Sequence, residues 1–379
     1  FHDLLTFFAH IYYNAIYSKF HYYFQILLCI IEYNYERIKK FMIVKKLAIS
    51  KGFLEFNSVK ILSNSVSFDC GPHPVFYDIE TTGLSRHSTF LYLIGALTQE
   101  NHSWFLYQWM AESHEEEKEL LNIFSDFLKN ASSTIQYNGT SFDQPYLEER
   151  YKIHNLPSPF VSLPSLDLYQ KLKSCKDLLK LKKMKQPDLE YFLGLPARKH
   201  CSGGECVRLY KSYEKNRDSV LRDIIMGHNE EDMLGLEKIF SMMAYPALMT
   251  RGYEPLNAFL ENDRLIIKFK LPVPVPVPVS KKGDGFYFTC KEKEGVLEAE
   301  AANNKVKQYY SNYKDYDYIP QEDTAMPKIL SRYMDKSLRK NTRPETCYTW
   351  FLCDESFLDD KDKQKQYLNH TLPCLLSQK

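Results

Sequence analysis

Residues Val75 to Leu97, VFYDIETTGLSRHSTFLYLIGAL, constrain the fold more than any other stretch. An apolar run, Val75-Phe76-Tyr77, leads into Asp78-Ile79-Glu80. Tyr77, Asp78, Ile79 and Glu80 alternate apolar and acidic, the period of a β-strand. On such a strand Asp78 and Glu80 point to one face, two residues apart. Adjacent carboxylates repel each other, and leaving them unpaired near a core is costly. A divalent cation relieves that cost, and oxygen ligands suit Mg²⁺ or Mn²⁺. Gly83 permits a tight turn, and Phe90–Leu97 is expected to pair back as a hairpin partner. The competing reading is an ordinary strand with a wet acidic face; acids elsewhere in the chain decide between them.

A chain of 379 residues is expected to hold two domains, and 44% apolar content supplies real cores. The formal net charge of +1 gives no global attraction for polyanions, so any nucleic-acid surface must be local. Nine cysteines, odd in number and scattered, read as reduced thiols of a cytoplasmic protein. Cys201-x4-Cys206 beside His200, and Cys347-x5-Cys353, lack a convincing zinc spacing.

Two further strands, Phe90–Leu97 and Trp104–Trp109, should pair antiparallel. Ser113 is expected to cap a helix with Glu115, Glu116 and Glu117 in its first turn and Leu120, Leu121, Phe124 and Phe127 as its apolar stripe. Thr134–Tyr137 reads as a fourth strand, ended by Asn138-Gly139. Strands first and strand–helix alternation later predict an α/β fold, a mixed sheet flanked by helices. Asp143 stands just past the fourth strand, where a helix opens with Pro145 in its first turn. A plain N-cap is the ordinary role there, but strand ends are where α/β sheets place their sites. Leu163–Tyr169 is a candidate fifth strand, and its Asp167 reads as structural. Seven lysines between Lys171 and Lys185 are either a solvated face or a phosphate-tracking strip. Lys185–Gly194 reads as a short helix, and Ser202-Gly203-Gly204-Glu205 as a break before another. The long helical stretch Ser219–Met243 holds His228 and Asp232, i and i+4, on one face.

FYDIETTGL, LYLIGAL, QYNGTSFDQPYL, SGGE and GHNEEDMLGL together resemble the YprB-like, ribonuclease H-like exonucleases of the DEDD superfamily, clostridial type. The resemblance covers roughly residues 75–245. It implies a metal-dependent 3′–5′ exonuclease with Asp78, Glu80, Asp143 and Asp232 as metal-binding carboxylates and His228 as catalytic base. Two Mg²⁺ or Mn²⁺ ions about 4 Å apart would activate the attacking water and stabilise the leaving 3′ oxygen. The partner would be a single-stranded 3′ end of DNA or RNA; no membrane is expected. One departure stands out. Exonucleases of the histidine type place histidine five residues before the last aspartate, and the tyrosine type places tyrosine four before. Here histidine stands at the tyrosine spacing. The alternative function is a non-catalytic nucleic-acid-binding module on the same fold. Clustered carboxylates facing phosphates would serve such a module poorly.

The expected organisation is a lead of uncertain role at 1–41, a lead-in at 42–74, the nuclease domain at 75–245, a smaller α+β accessory domain at 246–353 and an irregular tail at 354–379. The lead is rich in Phe, Tyr and Ile, but Asp3, His10, Lys19 and His21 interrupt any apolar span. Met42 reads as the natural start. In the lead-in, Leu54–Phe68 is expected to form a strand or two. Leu271–Val279, with proline at alternate positions, is a stiff linker or a sheet edge, not a central strand. Tyr309, Tyr310, Tyr313, Tyr316 and Tyr318 are packing residues or a stacking platform for unpaired bases. Lys328, Arg332, Lys336 and Lys340 are expected to form one basic stripe on a helix.

Overall fold

The computed structural model describes residues 42–49, 56–101, 103–250 and 252–378; the aromatic lead at 1–41 lies outside the described residues. A six-stranded sheet runs in the order β1-β4-β3-β2-β5-β6. Its strands are β1 (Met42–Ile49), β2 (Pro74–Thr81), β3 (Leu91–Glu100), β4 (Ser103–Ala111), β5 (Ser133–Gln136) and β6 (Ser165–Asp167). The first four in sequence pair antiparallel, and β5 and β6 continue from β2 in parallel. This is the mixed sheet that the strand–helix alternation predicts.

The lead-in differs from expectation. Its strand is Met42–Ile49, which pairs along β4 and completes the sheet. Residues Phe56–Ser65 form helix α1 instead of strands. Val59, Leu62 and Val66, at helical spacing, are buried; the short alternating runs there carried less weight than that stripe.

β2 buries both faces. Val75, Tyr77 and Ile79 pack with Leu120 and Phe124 of α2 (Glu117–Leu128) and Tyr146 of α3 (Asp143–Ile153). Phe76 faces the other way, its ring 5.5 Å from Phe240. The start of α2 also departs from expectation. Ser113 makes no side-chain cap, and a 3-10 turn, His114–Glu116, comes first. Glu117 is buried and ion-paired to Arg150 and His154.

After α4 (Leu168–Leu172) and α5 (Gln186–Phe192) comes α6 (Gly203–Asn216). The SGGE stretch does not break the chain; it opens α6, with Ser202 and Glu205 forming a capping box. Helix α7 (Ser219–Phe240) then crosses the sheet face that carries Phe76, Asp78 and Glu80.

The smaller C-terminal unit is β-rich. β7 (Glu254–Glu261), β8 (Arg264–Gly283) and β9 (Phe286–Glu300) form a sheet with β8 in the middle. The proline tract lies in β8 but beyond the reach of β7, so it runs along the sheet edge, as the alternating prolines predict. Pairing with β7 ends at Lys270, and between Lys270 and Val279 only Val275 is registered with β9. The tract therefore runs where few ladder donors are needed. Val273 and Val275 point inward, and Tyr245 Oη both donates to the Val277 carbonyl (2.8 Å) and accepts from its N–H (3.1 Å).

Two more expectations fail here. The basic residues from Lys328 share no helix: Lys328–Ser331 is one helical turn, Lys336–Leu338 a 3-10 turn and Lys340 begins a strand. The tail is not irregular. Lys361–Ser377 forms α8, which buries Tyr367, Leu368, Leu372 and Leu375. Of the tyrosines, Tyr309 is buried, Tyr310 stacks on Tyr316 at 5.5 Å, and Tyr318 hydrogen-bonds Asp323. One apolar cluster runs from Phe76 and Leu236 to Phe269, Leu297 and Tyr367, so the two units share a core. No helix among the described residues is long and apolar enough to cross a membrane.

Candidate active site

Strand period puts Asp78 and Glu80 on the face of β2 that α7 covers. The residue opposite Asp78 on β3 is Gly95, and its missing side chain lets α7 approach. A Cβ at Gly95 would stand 2.3 Å from Asn229 Oδ1. Asn229 donates from Nδ2 to Asp78 Oδ2 at 3.2 Å. Gln108 of β4 in turn donates from Nε2 to Asn229 Oδ1 at 2.9 Å. Both amides are fully buried, so Asp78 is oriented by a chain of fixed dipoles.

His228 and Asp232, one helical turn apart, meet Glu80. His228 Nε2 lies 3.3 Å from Glu80 Oε1 and 3.1 Å from Asp232 Oδ2. The ligand atoms of these three residues all fall within 4.8 Å of one another, the one such group of His, Cys, Asp and Glu among the described residues. His228 Nδ1 is buried without a hydrogen-bond partner among them. Gly203, at the start of α6, comes close: a Cβ there would stand 3.8 Å from His228 Nε2.

Asp143 begins α3, yet its carboxylate caps nothing there. Oδ1 accepts the Ile79 N–H of β2 at 3.3 Å, which sets it between the residues carrying the first two acids. Glu80, His228 and Asp232 are thus brought within ligand distance of one another, with Asp78 on the same face of β2 and Asp143 held against Ile79 between the two strand acids. Asp167 is structural, as expected. Its Oδ1 accepts from the Tyr169 and Asn138 amides, and Oδ2 from Thr140. It caps α4 and fixes the turn that leads to Asp143.

The electrostatics follow from crowding. Burial holds Asp78 and Glu80 well above the usual carboxylate range, and the charges of Asp232 and Asp143 push them further. Burial lifts Asp143 to about 7, although backbone N–H groups partly oppose it. Asp232 is also raised by burial, while Arg198 and His228 draw it back. Such a set favours any cation that can enter.

Asn229, Gln108, Gly95, Arg198 and Glu190 escaped the sequence reading. Gly95 inside an apolar strand was a usable signal of close backbone approach. A buried amide or a loop arginine has no pattern of its own. Cys201 and Cys206 approach to 3.2 Å between sulfurs, but no described group of cysteines gathers enough ligands for an ion.

Residues 75–244 match the family model of the RNase_H superfamily, a span that holds every residue of this site. The fold of that segment is ribonuclease H-like. No curated protein matches the chain. Among solved structures, one similar chain is the family B DNA polymerase from the hyperthermophilic archaeon Pyrobaculum calidifontis. It is 20% identical with a TM-score of 0.36, over 48% of this chain and 26% of that one. Another is apo exonuclease I, 14% identical with a TM-score of 0.29, over 52% of this chain and 56% of that one. A third is E. coli exonuclease I in complex with a dT13 oligonucleotide, 10% identical, TM-score 0.27, over 78% and 69%. The chain thus spans a quarter of the first of these and about half of the second.

Proposed function

We propose that this protein is a metal-dependent 3′–5′ exonuclease of the YprB-like type, acting in the cytoplasm on single-stranded 3′ ends of DNA or RNA. The observation that carries the reading is the meeting of Glu80, Asp232 and His228, with Asp78 beside them on the same face of β2 and Asp143 bonded to the intervening Ile79 N–H; burial and mutual repulsion hold the acids above their ordinary range.

The donor set fits two Mg²⁺ or Mn²⁺ ions: four carboxylates supply hard oxygen ligands and an excess of negative charge. When bound, such ions supply a nucleophile at neutral pH and neutralise charge on the leaving oxygen. The chain's own groups do the rest. Asn229 and Ile79 N–H orient Asp78 and Asp143. His228 Nε2, already directed at Glu80 and Asp232, accepts the proton of the attacking water. We assign residues 75–245 to the nuclease domain and the β-rich unit that follows, closed by α8, to an accessory domain.

Incubating 3′-labelled and 5′-labelled single strands with Mg²⁺ or Mn²⁺ tests this. Terminal mononucleotide should leave the 3′ end, and 5′-labelled strands should shorten stepwise. Asp78→Asn should abolish release. Wild-type activity in that variant would sink the site assignment, and internal cuts in 5′-labelled strands would sink the exonucleolytic mode.

A further inference from the structure

Asp232 is held by a group that belongs to none of the motifs. Arg198 lies in the loop between α5 and α6. It donates from Nη1 to Asp232 Oδ1 at 2.5 Å, and from Nε and Nη2 to the two oxygens of Glu190 at 2.7 and 2.6 Å. Glu190, on α5, is itself buried and accepts a third bond from Gln186 Nε2 at 3.1 Å. The same Gln186 nitrogen donates to the Asp232 carbonyl at 2.7 Å. Gly235 on α7 makes the room, since a Cβ there would stand 1.9 Å from Glu190 Oε1.

The geometry divides the Asp232 carboxylate. Oδ1 is taken by the guanidinium, and Oδ2 faces His228 Nε2 at 3.1 Å. A planar guanidinium with a bidentate anchor on one side has little freedom on the other. It therefore fixes the rotation of the acid it touches. We propose that Arg198, anchored by Glu190, is a positioning residue that presents Asp232 Oδ2 for cation binding. This rests on the nuclease reading above.

The competing role is a buried ion pair that only balances charge. Arg198→Lys separates the two, because it keeps the charge and loses the fork. The readouts are Mn²⁺ binding to the full chain by calorimetry, circular dichroism for folding, and kcat and KM on a single-stranded oligonucleotide. If Arg198 positions Asp232, Arg198→Lys should weaken Mn²⁺ binding by about 10–100-fold. Its kcat should drop at low Mn²⁺ and recover as Mn²⁺ is raised, with KM for the oligonucleotide within about two-fold. Glu190→Gln should lose affinity in the same direction, by less. If Arg198→Lys misfolds, Gly235→Ala displaces Glu190 without removing a charge and should weaken Mn²⁺ binding likewise. Unchanged Mn²⁺ affinity in folded Arg198→Lys overturns the proposal. A raised KM with unchanged Mn²⁺ affinity also overturns it, since it places Arg198 on the substrate. Wild-type protein that neither binds Mn²⁺ nor releases nucleotide overturns the nuclease reading itself; an active wild type with an indifferent Arg198→Lys overturns the positioning role alone.

Discussion

His228 is the residue whose role the spacing leaves most open. It stands one helical turn before Asp232, with Nε2 shared between Glu80 and Asp232. In that position it can take a proton from a water held between those acids. If it is the base, His228→Ala should slow turnover by about 10²–10⁴-fold and leave metal affinity nearly intact. The acidic limb of the pH–rate profile should flatten, since protonation of histidine would no longer stop the reaction. His228→Tyr installs the side chain that the tyrosine-type exonucleases carry at this spacing. A near-normal rate and an unchanged pH profile in that variant would show that proton acceptance by histidine is not required.

At the scale of elements, sequence legibility followed periodicity. β2, β3, β4 and α7 carry long, regular patterns, and the acids they present were readable from residue type and spacing alone. The first and the last helix were missed, although both had a signal. Val59, Leu62 and Val66 mark α1, and Tyr367, Leu368, Leu372 and Leu375 mark α8. The basic stripe failed for the opposite reason: i+4 spacing across Asp335 and Ser337 was read as one helix, while a helical turn, a 3-10 turn and a strand divide it. The proline tract shows what spacing cannot show, a long-range partner. Tyr245 Oη supplies both hydrogen bonds to Val277 that a neighbouring strand would otherwise make. Tyr245→Phe should leave those two groups unpaired and cost about 1–3 kcal/mol in urea unfolding. Nucleotide release should be unchanged, because Tyr245 touches none of the five site residues. A variant as stable as wild type would mean that the tract is held by its valines alone.

For the whole molecule, the acid cluster couples folding to pH and, on the proposed reading, to metal. The ordinary pKa of aspartate, about 3.9, describes the unfolded chain; burial lifts Asp143 to about 7 in the folded one, and Asp78 and Glu80 move the same way. For a group raised by folding, the stabilising contribution is complete below the unfolded value and is lost as pH rises through the folded value. The metal-free protein should therefore lose stability between roughly pH 4 and pH 7 from these acids. Glu100, Glu231 and Asp323 shift downward through their hydrogen-bond and charge partners, so their contributions are lost only in stronger acid. The two effects occupy different pH windows. On the proposed reading, divalent cations bind the ionised acids and so stabilise the folded state by mass action. Saturating Mg²⁺ should then raise Tm more at pH 8 than at pH 5, measured by differential scanning fluorimetry against EDTA. Asp143→Asn, which cannot ionise, should be at least as stable as wild type in EDTA at pH 8 and should gain less from Mg²⁺. An equal Mg²⁺ shift at both pH values, or a wild-type response in Asp143→Asn, would show that cations do not enter among these carboxylates.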